Sequence, residues 1–173
     1  NSKEPLPGHI IITLEGTLNG EVFACTGSSC SVPLNEGNNS FTYWAISSWG
    51  DSSTKGTFTQ KVDTVSPNVG LDVNGSNGEN GWYVSQTTVT ATGTDSTSGL
   101  FETLLSVDNG AWQSSAALYD GVYDVAVRAV DNAGNVSNSS TIISVDTTTP
   151  SLNVSLNGTT GNNGWYISNV KAS

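Results

Sequence analysis

The sequence predicts an all-β protein made of tandem sandwich-sized modules, and three observations carry that prediction. One stretch of the chain occurs twice. Residues 62–90 (VDTVSPNVGLDVNGSNGENGWYVSQTTVT) align without a gap on residues 145–173 (VDTTTPSLNVSLNGTTGNNGWYISNVKAS), Val62 falling on Val145 and every later pair keeping that offset. Identities include Val62/Val145, Asp63/Asp146, Thr64/Thr147, Pro67/Pro150, Asn74/Asn157 and Gly78/Gly161, and the strongest block is Gly81-Trp82-Tyr83 against Gly164-Trp165-Tyr166. A period of that length is the size of one small β-sandwich. The second observation is alternation: Val69, Leu71 and Val73, then Tyr123, Val125, Val127 and Ala129, recur at every other residue, as half-buried strands require. The third is that no window carries apolar residues at helical spacing over three turns.

The period divides the chain into residues 1–66, a module without its opening strand; 67–149, a complete module; and 150–173, the opening strands of a third. In the first unit, residues 1–9 with Pro5, Pro7 and Gly8 read as an extended lead-in, and 10–17 as a strand with Ile10, Ile12 and Leu14 on one face. Phe41, Tyr43 and Ala45 alternate in another strand, and Gly56–Val62 closes the unit. The second unit runs through a strand at 69–73, the turn-rich NGSNGENG of 74–81, and a strand with Val89, Ala91 and Gly93 opposed to a threonine face. A turn at Asp95–Gly99 leads to a strand over Phe101–Val107. Asp108-Asn109-Gly110 then predicts a tight hairpin, because Asn-Gly tolerates the positive φ of primed turns. Leu34, Gly37, Ala45 and Gly50 align on Leu118, Gly121, Ala129 and Gly134 at a constant offset one position longer than that of the repeat, so the first unit fits the same frame.

Composition narrows the partners. Only 12% of residues are charged and 35% are apolar, which suits short strands and many turns rather than a disordered chain. A net charge of −10 leaves no basic footprint for nucleic acid. No apolar run approaches the ~20 residues of a membrane span, so membrane insertion is not expected. The start, NSKEPLPG, lacks the apolar core of a signal peptide, so an exported protein would carry this chain in processed or excised form. Cys25 and Cys30 flank Thr-Gly-Ser-Ser, the spacing of a disulfide across a hairpin base. A metal site would need more ligands, and redox motifs usually separate their cysteines by two residues, so a disulfide and an oxidising compartment are expected.

The second unit resembles the bacterial immunoglobulin-like repeats of secreted and surface proteins. The resemblance rests on the junction Val145–Pro150, on Gly81–Tyr83 and on the turn Ala129–Asn135 (Ala-Val-Asp-Asn-Ala-Gly-Asn). The run Leu118, Gly121, Tyr123, Val125, Val127 is similar to the fibronectin type III pattern. There a tyrosine hydroxyl bonds back to the backbone at a strand corner, which implies such a corner at Tyr123, with its hydroxyl on backbone near Leu118. The first unit departs from it, since Asn39 holds the corner position. The resemblance implies tandem immunoglobulin-like β-sandwiches with an extracellular or cell-surface location, and it is nearly silent on ligand.

Catalysis is not expected: the only histidine is His9 in the lead-in, and no carboxylate pair stands out. Trp82, Tyr83, Trp165 and Tyr166 suit either sugar stacking or module packing, and packing beside the Pro junction is favoured. Trp49, on a predicted turn at Ser47–Asp51, is the candidate contact surface. No motif requires a cofactor. Calcium is a candidate, with Asp131, Asn132 and Asn135 in one turn and Asp63 or Asp146 at a junction, although Asn and Asp are common in turns for backbone reasons alone. The second unit has no lysine, which excludes a Lys–Asn isopeptide there. Asn-x-Ser/Thr sequences at Asn38, Asn74, Asn135, Asn138, Asn153 and Asn157 permit glycosylation without indicating it.

These readings predict a structural or adhesive repeat region of a bacterial surface protein, with other copies or neighbouring modules as partners. The competing class is a carbohydrate-binding accessory module of a secreted hydrolase, with a surface polysaccharide as partner. Residues 150–173 cannot fold alone, since a hairpin is marginal in water. They are therefore expected to pair with something. Leu152, Val154, Leu156 and Trp165 of one molecule are the candidate donors that complete the open sandwich of residues 1–66 in the next. Such a contact, repeated without closure, builds a filament.

Overall fold

Alternating side chains bounded by glycine and asparagine turns produce thirteen strands and no helix among the described residues. The structure is a computed structural model, and it describes residues 13–27 and 29–173. Ile10–Ile12 and His9, with the rest of the lead-in, lie outside the described residues. The all-β expectation is borne out.

The first unit is one antiparallel sheet of β1 (Thr13–Leu18), β2 (Glu21–Thr26), β3 (Gly37–Ile46) and β4 (Gly56–Val62), in the order β2-β1-β3-β4. Asn19 and Gly20, both at positive φ (53° and 91°), make the two-residue turn between β1 and β2. Phe41 and Phe58 stack across the β3–β4 pair with ring centroids 4.4 Å apart. Tyr43 lays its ring over Gly56, its partner in the register, where an added Cβ would meet Tyr43 Cζ at 2.3 Å. No second sheet faces this one among the described residues.

The second unit is a sandwich. One sheet holds β5 (Asn68–Asn74), β7 (Thr87–Thr94) and β9 (Ser115–Leu118); the other holds β6 (Trp82–Tyr83), β11 (Val136–Val145), β10 (Gly121–Asp131) and β8 (Leu100–Val107) in that order. Its core is Val89 from the first sheet with Leu105, Val125, Val127, Ile143 and Val145 from the second, closed by Leu118. Val69, Leu71, Val73 and Tyr83 pack onto that core from the opening segment. Asp108 and Asn109 take φ of 48° and 59° and Gly110 N donates to Val107 O at 2.8 Å, the primed turn that the sequence signals.

The chain ends in β12 (Leu156–Asn157) paired with β13 (Lys171–Ala172). Leu156 pairs with Ala172 and Asn157 with Lys171, just as their aligned counterparts do, Val73 with Val89 and Asn74 with Thr88. The turns between repeat bond by bond. Gly78 N donates to Trp82 O and Gly161 N to Trp165 O, both at 2.7 Å; Val84 N donates to Ser76 O and Ile167 N to Thr159 O, both at 2.8 Å. Asn80 and Asn163 have φ of 55° and 56°, and Gly81 and Gly164 share φ of 80°.

Three expectations need correction. Cys25 and Cys30 are bonded, with Cα atoms 5.8 Å apart, yet the bond does not cross a hairpin: Cys25 lies at the end of β2, and Cys30 lies in a strand-free segment before β3. The corner at Tyr123 is not formed. Its ring lies against Gly121 and the core, and its hydroxyl makes no hydrogen bond to the described residues near Leu118. Of the repeated Trp-Tyr pair, Tyr83 packs inward while Trp82 is 39% exposed, so the inward-facing equivalent in the tail is Tyr166 rather than Trp165.

Candidate functional site

The densest polar arrangement is where the linker after β4 meets the second unit. Two aspartates each organise a loop there. Asp95 Oδ1 accepts the N–H groups of Thr97, Ser98 and Gly99 at 3.1, 2.9 and 2.7 Å. Asp131 Oδ1 accepts those of Ala133, Gly134 and Asn135 at 2.9, 2.7 and 2.9 Å. A carboxylate followed by small residues folds its own chain in this way, because the side chain supplies the acceptor that the turn backbone lacks. Asp63, from the linker, then joins them: its Oδ2 accepts Ser98 N–H at 3.0 Å, and its own carbonyl accepts the Asn135 amide at 3.2 Å.

The result brings Asp63, Asp95 and Asp131 together, with one carboxylate oxygen of each within 4.8 Å of the others. Asp131 is 1% exposed. Burial pushes its carboxyl up, but the hydrogen bonds from Asn135, Gly134 and Ala133 outweigh that, and its pKa lies below the ordinary carboxylate value. A cleft of about 600 Å³ opens beside the triad, lined from one unit by Gly37, Asn38 and Lys61 and from the other by Thr97, Asn132 and Ala133. The Ser98 hydroxyl oxygen is buried in the same loop and has no hydrogen-bond partner among the described residues.

Asp131 and Asp63 are therefore where the sequence places oxygen donors. Asn132 and Asn135 act differently: their amide nitrogens brace the loops, Asn132 donating to Ser98 O at 2.9 Å and Asn135 to Asp131 Oδ2 at 2.8 Å. Sequence reasoning missed Asp95. The only signal was a second Asp-led turn of the same type. Asp146, the other junction candidate, is exposed and accepts Thr148 N–H at 2.9 Å, as Asp63 accepts Val65 N–H at 3.1 Å.

The two linkers are anchored by one device. Glu36 accepts both the N–H and the hydroxyl of Thr64; Asp120 accepts the N–H (2.7 Å) and hydroxyl (2.6 Å) of Thr147 and the hydroxyl of Thr148 (2.8 Å). The Thr147 hydroxyl, then its N–H, then Thr148 hold the Asp120 carboxyl below its ordinary value.

The exposed aromatics do not converge. Trp49 sits on the turn closed by Ser47 N–H to Asp51 O at 2.9 Å and is 59% exposed, and Trp165 is 75% exposed in the tail. Trp112 carries the Arg128 guanidinium 4.9 Å above its ring.

Residues 80–147 match the family model described as a bacterial Ig-like domain. That stretch, most of the second unit, is similar to such domains, as its motifs imply. Among solved structures, the fibronectin(III)-like modules of Clostridium thermocellum CbhA are similar at 18% identity and a TM-score of 0.37, over 82% of each chain. That level of likeness bears on neither ligand nor assembly. No curated protein matches the chain.

Proposed function

We propose that this chain is a structural, adhesive repeat segment of an extracellular bacterial surface protein, in which the acidic linker fixes one unit against the next and copies associate head to tail. Bacterial Ig-like domains serve as structural or accessory modules and are typically non-catalytic. The domain type and the Cys25–Cys30 disulfide suggest an extracellular location. The observation that carries the reading is Asp63: one linker residue is tied to the 95–99 loop by its carboxylate and to Asn135 by its carbonyl. Spin labels on β3 and β10 test it. A single narrow distance distribution that broadens in Asp63→Ala is expected; a broad distribution in the unaltered chain defeats the spacer reading.

A divalent cation belongs to this reading. Three carboxylates at such close range repel one another, their oxygens are hard donors of the kind calcium takes, and the unpartnered Ser98 oxygen lies in the same loop. Calcium added to chelator-stripped protein is expected to raise the melting temperature of the unaltered chain and not of Asp95→Asn. Equal melting with and without calcium removes the cation and leaves the spacer.

Surface polysaccharide is the second reading, favoured by the exposed Trp49 indole. Retention on insoluble polysaccharide that Trp49→Ala abolishes supports it; equal retention of both proteins excludes it.

A further inference from the structure

We propose that Asn80 is a self-modification site: its side chain closes on the Gly81 backbone to form a succinimide, which water opens to aspartate and isoaspartate. The inference goes beyond the structural role proposed above and depends on no ligand, partner copy or neighbouring unit.

An asparagine amide carbon can be attacked by the backbone nitrogen of the next residue, and glycine favours this because no Cβ shields that nitrogen. The chain holds seven Asn-Gly pairs, which the sequence ranks alike. The structure separates them, because attack needs a free glycine N–H and a side chain able to turn. Asn19 is held at both ends of its amide: Oδ1 accepts Ser40 N–H at 2.8 Å and Nδ2 donates to Asn39 Oδ1 at 3.2 Å. After Asn77 and Asn109 the nitrogen is taken, Gly78 N–H by Trp82 O at 2.7 Å and Gly110 N–H by Val107 O at 2.8 Å. Asn74 is paired with Thr88 in β5, and a Cβ on Gly75 would overlap Thr87 Oγ1, so that site is closed in. Asn157 is likewise a strand residue, paired with Lys171.

Asn80 alone in the second unit meets both requirements. It and Gly81 are exposed. The turn they centre is closed from outside them, by Trp82 N–H on Glu79 O at 3.1 Å, and neither the Gly81 N–H nor the Asn80 amide is engaged among the described residues. No described atom lies within 4 Å of where a Gly81 Cβ would stand, which leaves the side chain room to swing. Asn163-Gly164 repeats this turn at matching φ, with Trp165 N–H on Asn162 O at 3.2 Å, so the site recurs with the repeat. The step balances within the chain and water. Gly81 N bonds to Asn80 Cγ, the Cγ–Nδ2 bond breaks, and the Gly81 proton leaves with Nδ2 as ammonia. Water attack at Cγ then gives an ordinary aspartyl link, whereas attack at the main-chain carbonyl leaves the backbone running through Cβ and Cγ. Either product adds one negative charge to a chain already at −10. The second product also lengthens the backbone by an atom inside a tight turn. The bonds Gly78 N–H to Trp82 O and Trp82 N–H to Glu79 O straddle that atom, and Trp82 and Tyr83 are the residues that β6 pairs with β11. The modification therefore slackens that pairing from one turn away.

The test ages the full chain in mildly alkaline buffer made with heavy-oxygen water and maps its Asn-Gly peptides by mass spectrometry. Heavy oxygen should enter at Asn80 at least about fivefold faster than at Asn77 or Asn109, the factor that one net hydrogen bond makes in an opening equilibrium. Hydroxylamine added during ageing should cleave the chain after Asn80, the signature of the imide. In denaturant the three sites should convert at like rates, since the bonds that protect two of them are gone. Amide exchange at Asp146, whose N–H donates to Tyr83 O, should quicken in the aged chain. It should stay unaltered in aged Asn80→Gln, whose longer side chain would have to close a larger ring. Equal rates at the three sites in the folded chain, the same ranking in denaturant, or no conversion at Asn80 would each overturn the proposal. Unaltered exchange at Asp146 in the aged chain would overturn the effect on the β6–β11 pairing.

Discussion

Asn39 is bonded by its side-chain amide to the backbone of Asn35 on both sides, accepting the Asn35 N–H at 3.0 Å and donating to the Asn35 carbonyl at 2.7 Å. It is fully buried and also accepts from the Asn19 amide at 3.2 Å. This is the work expected of a corner tyrosine, done by a different side chain at the position that aligns with Tyr123. Asn39→Ala would remove both bonds to the backbone of Asn35, which is itself exposed to water. A loss of about 1 kcal/mol is expected, the net worth of such bonds when water can reach the freed groups, measured by denaturant unfolding of the first unit. An unchanged midpoint would show that water replaces the amide.

Tyr123 predicts the opposite. Its hydroxyl has no partner among the described residues, so Tyr123→Phe is expected to be nearly neutral. Gly121→Ala should cost about 1 kcal/mol or more, because Gly121 has φ of 155° and an added Cβ would stand 3.1 Å from Tyr123 Cζ. Melting curves of the two variants separate ring packing from hydroxyl bonding.

The disulfide predicts no titratable thiol in protein that has never been reduced. Its loop is short, so reduction should lower the stability of the first unit by only about 2 kcal/mol. The second unit, with no cysteine, should melt as before.

Acid should loosen the second linker by a defined route. The folded-state pKa of Asp120 is depressed by Thr147 and Thr148. Its contribution is therefore present in full above the ordinary value of 3.8 and is lost as pH falls through the lower folded value. Hydrogen exchange at the Thr147 amide should be slow and flat from neutral down to about pH 5 and then rise on further acidification, after allowing for intrinsic exchange. Asp120→Asn should exchange faster already at neutral pH. Equal protection in both proteins would show that the bond contributes nothing.

The strands were legible because alternation is a local signal: Val125, Val127 and Ala129 need only each other to mark an inward face. The turn at Asp108-Asn109-Gly110 was legible for the same reason. The acidic triad was not, since Asp63, Asp95 and Asp131 come from separate loops and converge only after two units pack. Asp95 looks in the sequence like an ordinary turn residue. Which of Trp82 and Tyr83 faces inward was equally hidden, because a two-residue strand has no alternation to read; its pairing with Ser144 and Val145 decides it. Tyr123 misled for a different reason. Its spacing matches a corner, but the hydroxyl's partner depends on how closely the ring lies on Gly121.

The parallel pairing of β6 with β11 has a mechanical side. The chain enters the second unit through β5 and β6 and leaves it from the end of β11, where Asp146 N–H also donates to Tyr83 O at 2.9 Å. Two parallel strands pulled from opposite ends slide along their common axis, so their hydrogen bonds are loaded together in shear, whereas a hairpin peels open one bond at a time. Tension along a string of such units would load the Trp82–Tyr83 seam in this way once β5 has been drawn from β7. A rupture force set there by a few bonds acting at once belongs to this one parallel pairing, and the antiparallel pairs β11–β10 and β10–β8 of the same sheet lack it.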